Sequence, residues 1–282
     1  MVDARALFAD AKKRLEAAGL SGANELNVLF ETACGMRYPE AAAAGGVSGE
    51  QAARFDALLA RRLSGEPLQY IAGAWPFLDF ELLVGPGVLV PRDETELAVR
   101  TALELLRGAE APRVLDLCAG SGCIAFALKR ACPGAAVTAV ERSADALGWL
   151  ERNKVRLGCA VDAMQADVFG YETVLSDNKY DMIVSNPPYV TSAEYADNLS
   201  ELRCEPPEAF LGGADGLDFY RYIIPHYRSK LRPGGGMVFE IGAGQAAAVE
   251  ALFAQSGYAG IKTRGDMYGQ PRVVSAKRLK TV

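Results

Sequence analysis

The sequence predicts an α/β fold: an open, mostly parallel sheet with helices on both faces, preceded by a small all-helical module and a β-hairpin linker. Three observations carry this. Apolar residues over the first 72 positions recur at helical spacing. From about residue 112 onward, short apolar runs alternate with longer amphipathic stretches. Between the two lies a short segment of broken apolar runs. The expected divisions are 1–72, 73–92 and 93–282.

In chain order, Leu7, Ala11, Leu15 and Ala18 share one helical face, as do Leu26, Leu29, Phe30 and Ala33. Ser48 followed by Gln51 is a capping box opening a helix with Phe55, Leu58, Leu59 and Leu63 inward and Gly65 as its stop. Over 75–90 a strand pair is expected, broken at Gly85-Pro86-Gly87. Asp93 and Glu96 look like a second capping box starting the next helix. Strands are then expected over 113–117, 136–140, 161–165, 181–184 and 237–241, with helices near 123–131, 143–156, 216–231 and 245–256. The apolar stretches at 258–262 and 272–275 predict a final antiparallel pair.

The net charge of −5, from 30 Lys and Arg against 35 Asp and Glu, argues against a protein that grips nucleic-acid phosphates. The six cysteines contain no CxxC pair and there is a single histidine, His226, so no zinc site is expected; the cysteines read as reduced thiols. No signal peptide and no run of about 18 apolar residues is present, which predicts a cytoplasmic protein with no membrane partner.

"VLDLCAGSGCIAFAL" sets a Gly-rich turn between a strand and a helix, where Gly120 and Gly122 let a ligand approach the backbone and the helix N-terminus offers free N–H groups. A tight strand-to-helix turn alone would need the same glycines. Two acids at the next strand ends add to the pattern: Glu141, placed to accept from both ribose hydroxyls, and Asp167, placed to accept from an adenine amine beside Val168. No Lys-Ser or Lys-Thr follows Gly122, so the turn is not a phosphate loop. A nicotinamide cofactor and S-adenosylmethionine both suit it.

The stretch "IVSNPPYV" distinguishes them. Two prolines at the carboxyl edge of the sheet remove two donors and fix an extended backbone. The Asn186 side-chain oxygen and the Pro187 carbonyl can then hold both hydrogens of a planar NH2 group, with Tyr189 as an apolar wall. That arrangement suits methyl transfer to an amide or aniline-like nitrogen, and it requires neither a strong base nor a histidine.

With "GEPLQYIAG" at 65–73, "VLVPRDETELAV" at 88–99, "VLDLCAGSG" at 114–122, "NPPYV" at 186–190, "EPPEAFLGGADGLDFYR" at 205–221, "LRPGGGMVFEIG" at 231–242 and Asp266, Gly269 and Arg272, the chain resembles the release-factor glutamine methyltransferases. The resemblance implies a class I, Rossmann-like S-adenosylmethionine-dependent methyltransferase fold, with S-adenosylhomocysteine as product and no metal. It implies that Asp116, Cys118, Ala119, Gly120, Ser121, Gly122, Glu141, Asp167, Val168 and Asn186 bind the cofactor. It also implies that Asn186, Pro187, Pro188 and Tyr189 bind the substrate glutamine, with Asn186, Pro187 and Tyr189 carrying the chemistry and Arg92, Thr95 and Glu96 lining the site. The implied substrate is the Gly-Gly-Gln loop of class 1 peptide-chain release factors, held in part by the helical module, with no direct nucleic-acid partner. Departures from the family pattern are Asp93 in place of proline, Cys118-Ala119 where Gly and Thr are common, and Phe210 in place of leucine.

The nearest rival is the related glutamine methyltransferase acting on a large-subunit ribosomal protein. A nucleic-acid amino-group methyltransferase would need a base-recognition domain and a positive groove, neither of which is visible. A non-catalytic scaffold would have no use for an intact Asn186-Pro187-Pro188-Tyr189.

Overall fold

The computed structural model describes residues 1–20, 23–197 and 204–280, and the chain divides into two compact units, Met1–Trp75 and Pro76–Val282. The first unit comprises α1 (Ala4–Ala17), α2 (Ala23–Cys34), α3 (Tyr38–Ala43), α4 (Gly49–Leu63) and α5 (Leu68–Ala72). Asp3 caps α1, accepting from the Arg5 N–H at 2.9 Å. The capping box of α4 is complete, with 3.1 Å from the Gln51 N–H to Ser48 Oγ and 2.9 Å from the Ser48 N–H to Gln51 Oε1. Leu15, Leu26, Leu29, Phe30, Phe55 and Leu59 make the core, where Phe30 meets Phe55 edge-to-face at 5.3 Å. Ala18, expected on the inner face of α1, is exposed, because the helix stops at Ala17.

A strand pair follows, β1 (Ala74–Phe77) with β2 (Phe80–Leu83). Its turn falls at Leu78, with φ of 54°, and not at Gly85-Pro86-Gly87 as the sequence suggested. The expected capping box at Asp93 is also not formed: α6 runs from Thr95 to Leu105 with Glu94 at its N-cap and no side-chain cap.

The main sheet contains β3 (Arg113–Leu117), β4 (Ala136–Glu141), β5 (Asp162–Gln165), β6 (Tyr180–Ser185), β7 (Leu231–Glu240), β8 (Tyr258–Gly265) and β9 (Pro271–Arg278), in the spatial order β5-β4-β3-β6-β7-β9-β8. The first five are parallel, and β9 runs antiparallel to both its neighbours. Alternation along each strand feeds two cores. Val114, Met182, Val184 and Val238 face α6 and α7 (Cys123–Ala131). Leu115, Ile183, Met237 and Phe239 face the helices Asp218–His226 and Ala246–Gln255. The chain leaves β3 towards β4 and β5, then returns across β3 to β6. The strand order therefore reverses at β3, which opens a crevice at the carboxyl ends of β3 and β6.

Candidate active site

Past Leu117 the backbone turns sharply. Cys118 has φ of 58° and Gly122 φ of 86°, and the Ala119 N–H donates to the Val140 carbonyl at 3.0 Å. A left-handed Cys118 is costly for a residue with a Cβ, so this turn holds strain that its surroundings maintain. Burial, then the charge of Glu141, push the Cys118 thiol well up, so it stays protonated and acts as a small apolar group. α7 starts at Cys123 without a side-chain cap, and the N–H of its third residue, Ala125, is taken by an acid from below. Asp116 lies beneath this turn, fully buried, with Oδ2 accepting from the Ala125 N–H at 3.0 Å. Burial raises its carboxyl well above the usual range, more than the Ala125 bond lowers it.

Glu141 ends β4 and braces the loop. Its Oε2 accepts from the Gly120 N–H at 2.8 Å and its Oε1 from the Ser143 N–H at 2.7 Å. Burial raises its carboxyl, and these two N–H groups pull the other way. A carboxylate has about four lone-pair sites, so acceptor capacity remains for a ligand. Asp167 accepts from the Phe169 N–H at 3.0 Å and stands 3.6 Å from the Arg142 guanidinium.

Gly120, Glu141, Asp167, Val168 and Asn186 all line one cleft that opens to solvent, and Arg92, Thr95, Cys118, Ala119, Ser121 and Pro188 border the same space. A Cβ built on Gly120 would meet nothing within 4 Å. Apolar walls at Val140, Ile124 and Val168 and acids at two strand ends suit the adenine and ribose of S-adenosylmethionine.

Asn186 follows β6 directly. Its Nδ2 donates to Thr95 Oγ1 at 3.1 Å, which leaves its side-chain oxygen for a ligand. A smaller pocket adjoins, lined by Leu89, Arg92, Asn186, Tyr189, Val190 and Phe210. Pro187 and Pro188 are buried, and the loop they stiffen is held from behind. The Val190 N–H donates to the Phe210 carbonyl at 2.7 Å, and Gln245 Nε2 donates to the Tyr189 carbonyl at 2.9 Å and the Gly216 carbonyl at 3.2 Å. Gly216, with φ of 73°, comes so close that an added Cβ would sit 2.2 Å from the Tyr189 oxygen. Gly216→Ala is therefore expected to cost about 2 kcal/mol of stability and to lower kcat about tenfold by displacing the loop. Thermal unfolding beside steady-state kinetics checks both. A variant with the Tm of the wild type would show that the contact relaxes freely.

The sequence-predicted residues thus fall into groups. Those of the cofactor loop and strand ends converge on the cleft, except Asp116 and Gly122, which support it from below. Tyr189 borders the smaller pocket. Glu96 is a correction: expected to line the site, it instead accepts from the Leu78 N–H at 3.1 Å and pairs with Arg100 at 3.0 Å, outside the cleft. Three contributors went unpredicted. Glu205, nearly buried, accepts from the Val90 N–H at 2.8 Å and pairs with Arg92. Gln245 braces the loop that follows Asn186. Glu240, at the end of β7, accepts from the Tyr189 hydroxyl at 3.3 Å. Glu205 and Glu240 lie inside the stretches 205–221 and 231–242 that carry the family resemblance, but nothing in either stretch names the partner of its acid.

The family described as "Methyltransferase small domain" matches residues 81–205, and that described as "PrmC N-terminal domain" matches residues 6–73. Release factor glutamine methyltransferase of Geobacter sulfurreducens is 42% identical over 229 residues, covering 81% of this chain and 79% of the relative. The protein of the same name from Koribacter versatilis is 35% identical over 275 residues, covering 96% and 97%. Among solved structures, a methyltransferase from Pyrococcus furiosus matches with a TM-score of 0.55 at 18% identity, covering 78% of this chain and 97% of that one; it bears on the fold alone.

Proposed function

The chain belongs to the release factor glutamine methyltransferase family, and from that premise we propose that Asn186, Pro187 and Tyr189 form the site where the glutamine side chain is methylated. The enzyme is an S-adenosylmethionine-dependent methyltransferase that modifies the side-chain amide nitrogen of a release-factor glutamine. The observation supporting this use of the loop is the bond from Asn186 Nδ2 to Thr95 Oγ1, because it orients the Asn186 carbonyl oxygen as an acceptor.

When bound in the cleft, S-adenosylmethionine supplies an electrophilic methyl group on a sulfonium sulfur. The protein's part is to present the nucleophile. An amide nitrogen is poorly nucleophilic because its lone pair is delocalised. Asn186 Oδ1 and the Pro187 carbonyl accept its two N–H bonds, which fixes its orientation and stabilises the positive charge that grows on nitrogen. Tyr189 closes one side of the pocket. Burial and the Glu240 charge push its phenol up, so it remains a neutral donor. The methylated amide loses its proton after transfer, so no general base and no metal is invoked.

We assign residues 93–282 to catalysis, 73–92 to a linker and 1–72 to holding the protein substrate, the Gly-Gly-Gln loop of class 1 release factors. No helix among the described residues is long and apolar enough to cross a membrane. We place the enzyme in the cytoplasm with the translation machinery.

Transfer of labelled methyl tests the substrate, offering a release factor, the same factor with its loop glutamine changed to asparagine, the ribosomal protein and duplex DNA. Label on the first alone, at the glutamine side-chain nitrogen, is expected. Label on the ribosomal protein or DNA would keep the chemistry and overturn the substrate.

A further inference from the structure

Glu240 is 1% exposed, and its carboxyl is turned towards the elements that hold the acceptor loop. Oε1 accepts from the Tyr189 hydroxyl at 3.3 Å, while Oε2 has no hydrogen-bond partner among the described residues. Thr95, itself 1% exposed, faces the same carboxyl closely enough to favour its charged form, and Thr95 Oγ1 is the atom that accepts from Asn186 Nδ2. Glu240 therefore touches both ends of Asn186–Tyr189, directly at one and through a hydroxyl at the other. A carboxyl buried to this degree, met by two hydroxyls that both belong to the surroundings of Asn186–Tyr189, is seldom retained where packing alone would serve.

We propose that Glu240 is a positioning residue for methyl transfer: as a carboxylate it takes the hydroxyl hydrogens of Tyr189 and Thr95, so that Thr95 turns a lone pair to the Asn186 amide and Asn186 keeps its carbonyl oxygen towards the substrate. The inference rests on the reading of Asn186–Tyr189 as the acceptor site. If the carboxyl is protonated, it becomes a donor that competes with Asn186 Nδ2 for Thr95 Oγ1. The Asn186 amide is then free to turn its NH2 to the substrate NH2, setting donor against donor.

The groups around Glu240 place this change near neutral pH. Burial raises the carboxyl most, and the Glu94 charge at the start of α6 adds to it. The Thr95 and Tyr189 hydroxyls and the Arg272 guanidinium on β9 lower it, leaving it at about 7. Burial, then the Asp116 charge and only then that of Glu240, push the Cys123 thiol at the start of α7 up, and the Tyr220 hydroxyl is occupied by the Glu240 backbone carbonyl at 2.8 Å. The ionised, competent form accumulates as pH rises through that value.

The test is the single-turnover rate of methyl transfer to a release factor between pH 6 and 9, for wild type, Glu240→Gln and Thr95→Val, with S-adenosylmethionine affinity titrated calorimetrically at each pH. The wild-type rate is expected to rise about tenfold with a midpoint near pH 7, as one ionisation requires. Glu240→Gln is expected to give a flat profile at or below the low-pH wild-type rate, with cofactor affinity within about threefold of wild type. Thr95→Val should flatten the profile in the same way, and it decides the matter if Glu240→Gln does not fold. A wild-type ascending limb in either variant, or a loss of cofactor affinity as large as the loss of rate, overturns the role. Wild type that binds S-adenosylmethionine yet transfers nothing to the release factor at any pH overturns the acceptor-site reading and this inference with it.

Discussion

Asn186→Ala will bind S-adenosylmethionine within about tenfold of wild type and will transfer methyl at least a hundredfold more slowly, roughly the loss that follows removal of one acceptor or donor aimed at developing charge. Asn186 borders both the large cleft and the smaller pocket, so it is the residue of the loop best placed to touch the cofactor and the glutamine together. The asymmetry arises from numbers of contacts. In the proposed arrangement the cofactor also meets the Gly120 loop, Glu141 and Asp167, whereas the reacting nitrogen would have Asn186 Oδ1 and the Pro187 carbonyl. Calorimetry and single-turnover kinetics on the same preparation separate the two effects. Equal losses in affinity and rate would make Asn186 chiefly a cofactor ligand.

Glu141→Ala is expected to act in the opposite sense, weakening S-adenosylmethionine at least thirtyfold, or about 2 kcal/mol. Two losses combine. The carboxylate that would accept from the ribose is gone, and the Gly120 and Ser143 N–H groups lose the acceptor that shapes the loop. Glu141→Gln should rescue little. Its amide offers one oxygen to two N–H donors, and its own NH2 would face one of them. Affinity measured for both variants decides this. A normal affinity in Glu141→Ala would mean that the ribose contact has been assigned to the wrong residue.

Much of the site could be read from the sequence because a parallel sheet does the geometric work. Once β3, β4, β5 and β6 are recognised as parallel neighbours, their carboxyl ends lie along one edge, and residues 118–121, Glu141, Asp167 and Asn186 converge without any distance being known. α7 was expected over 123–131 and runs from Cys123 to Ala131. What escaped depends on contacts between segments far apart in the chain. Glu240 reads as one more residue of an apolar strand until Thr95 and Tyr189 are seen beside it, and Glu205 reads as a loop acid before two prolines until Arg92 is seen beside it. Turns misled where their chemistry was unusual. Gly85-Pro86-Gly87 is the stronger turn signal, but the hairpin reverses at Leu78, a bulky residue in a left-handed conformation. The motif at Asp93 failed because α6 begins only at Thr95, so Glu96 is free to serve the hairpin backbone instead.

The placement of β9 between β7 and β8 has a consequence for how the enzyme comes into being. β9 is the last strand of the sheet in chain order, yet it pairs along β7 up to Glu240 and contributes Arg272 beside that carboxyl. β8 is hydrogen-bonded to the sheet only through β9. On the ribosome, where chains emerge from the N-terminus, β7 presents a bare hydrogen-bonding edge until β9 arrives. The acceptor loop reaches its finished electrostatic surroundings only when residues 271–278 insert. A chain interrupted before that point would lack Val273, Val274 and Ala276 from the two cores that flank the sheet and would leave the edge of β7 open to pairing with other chains.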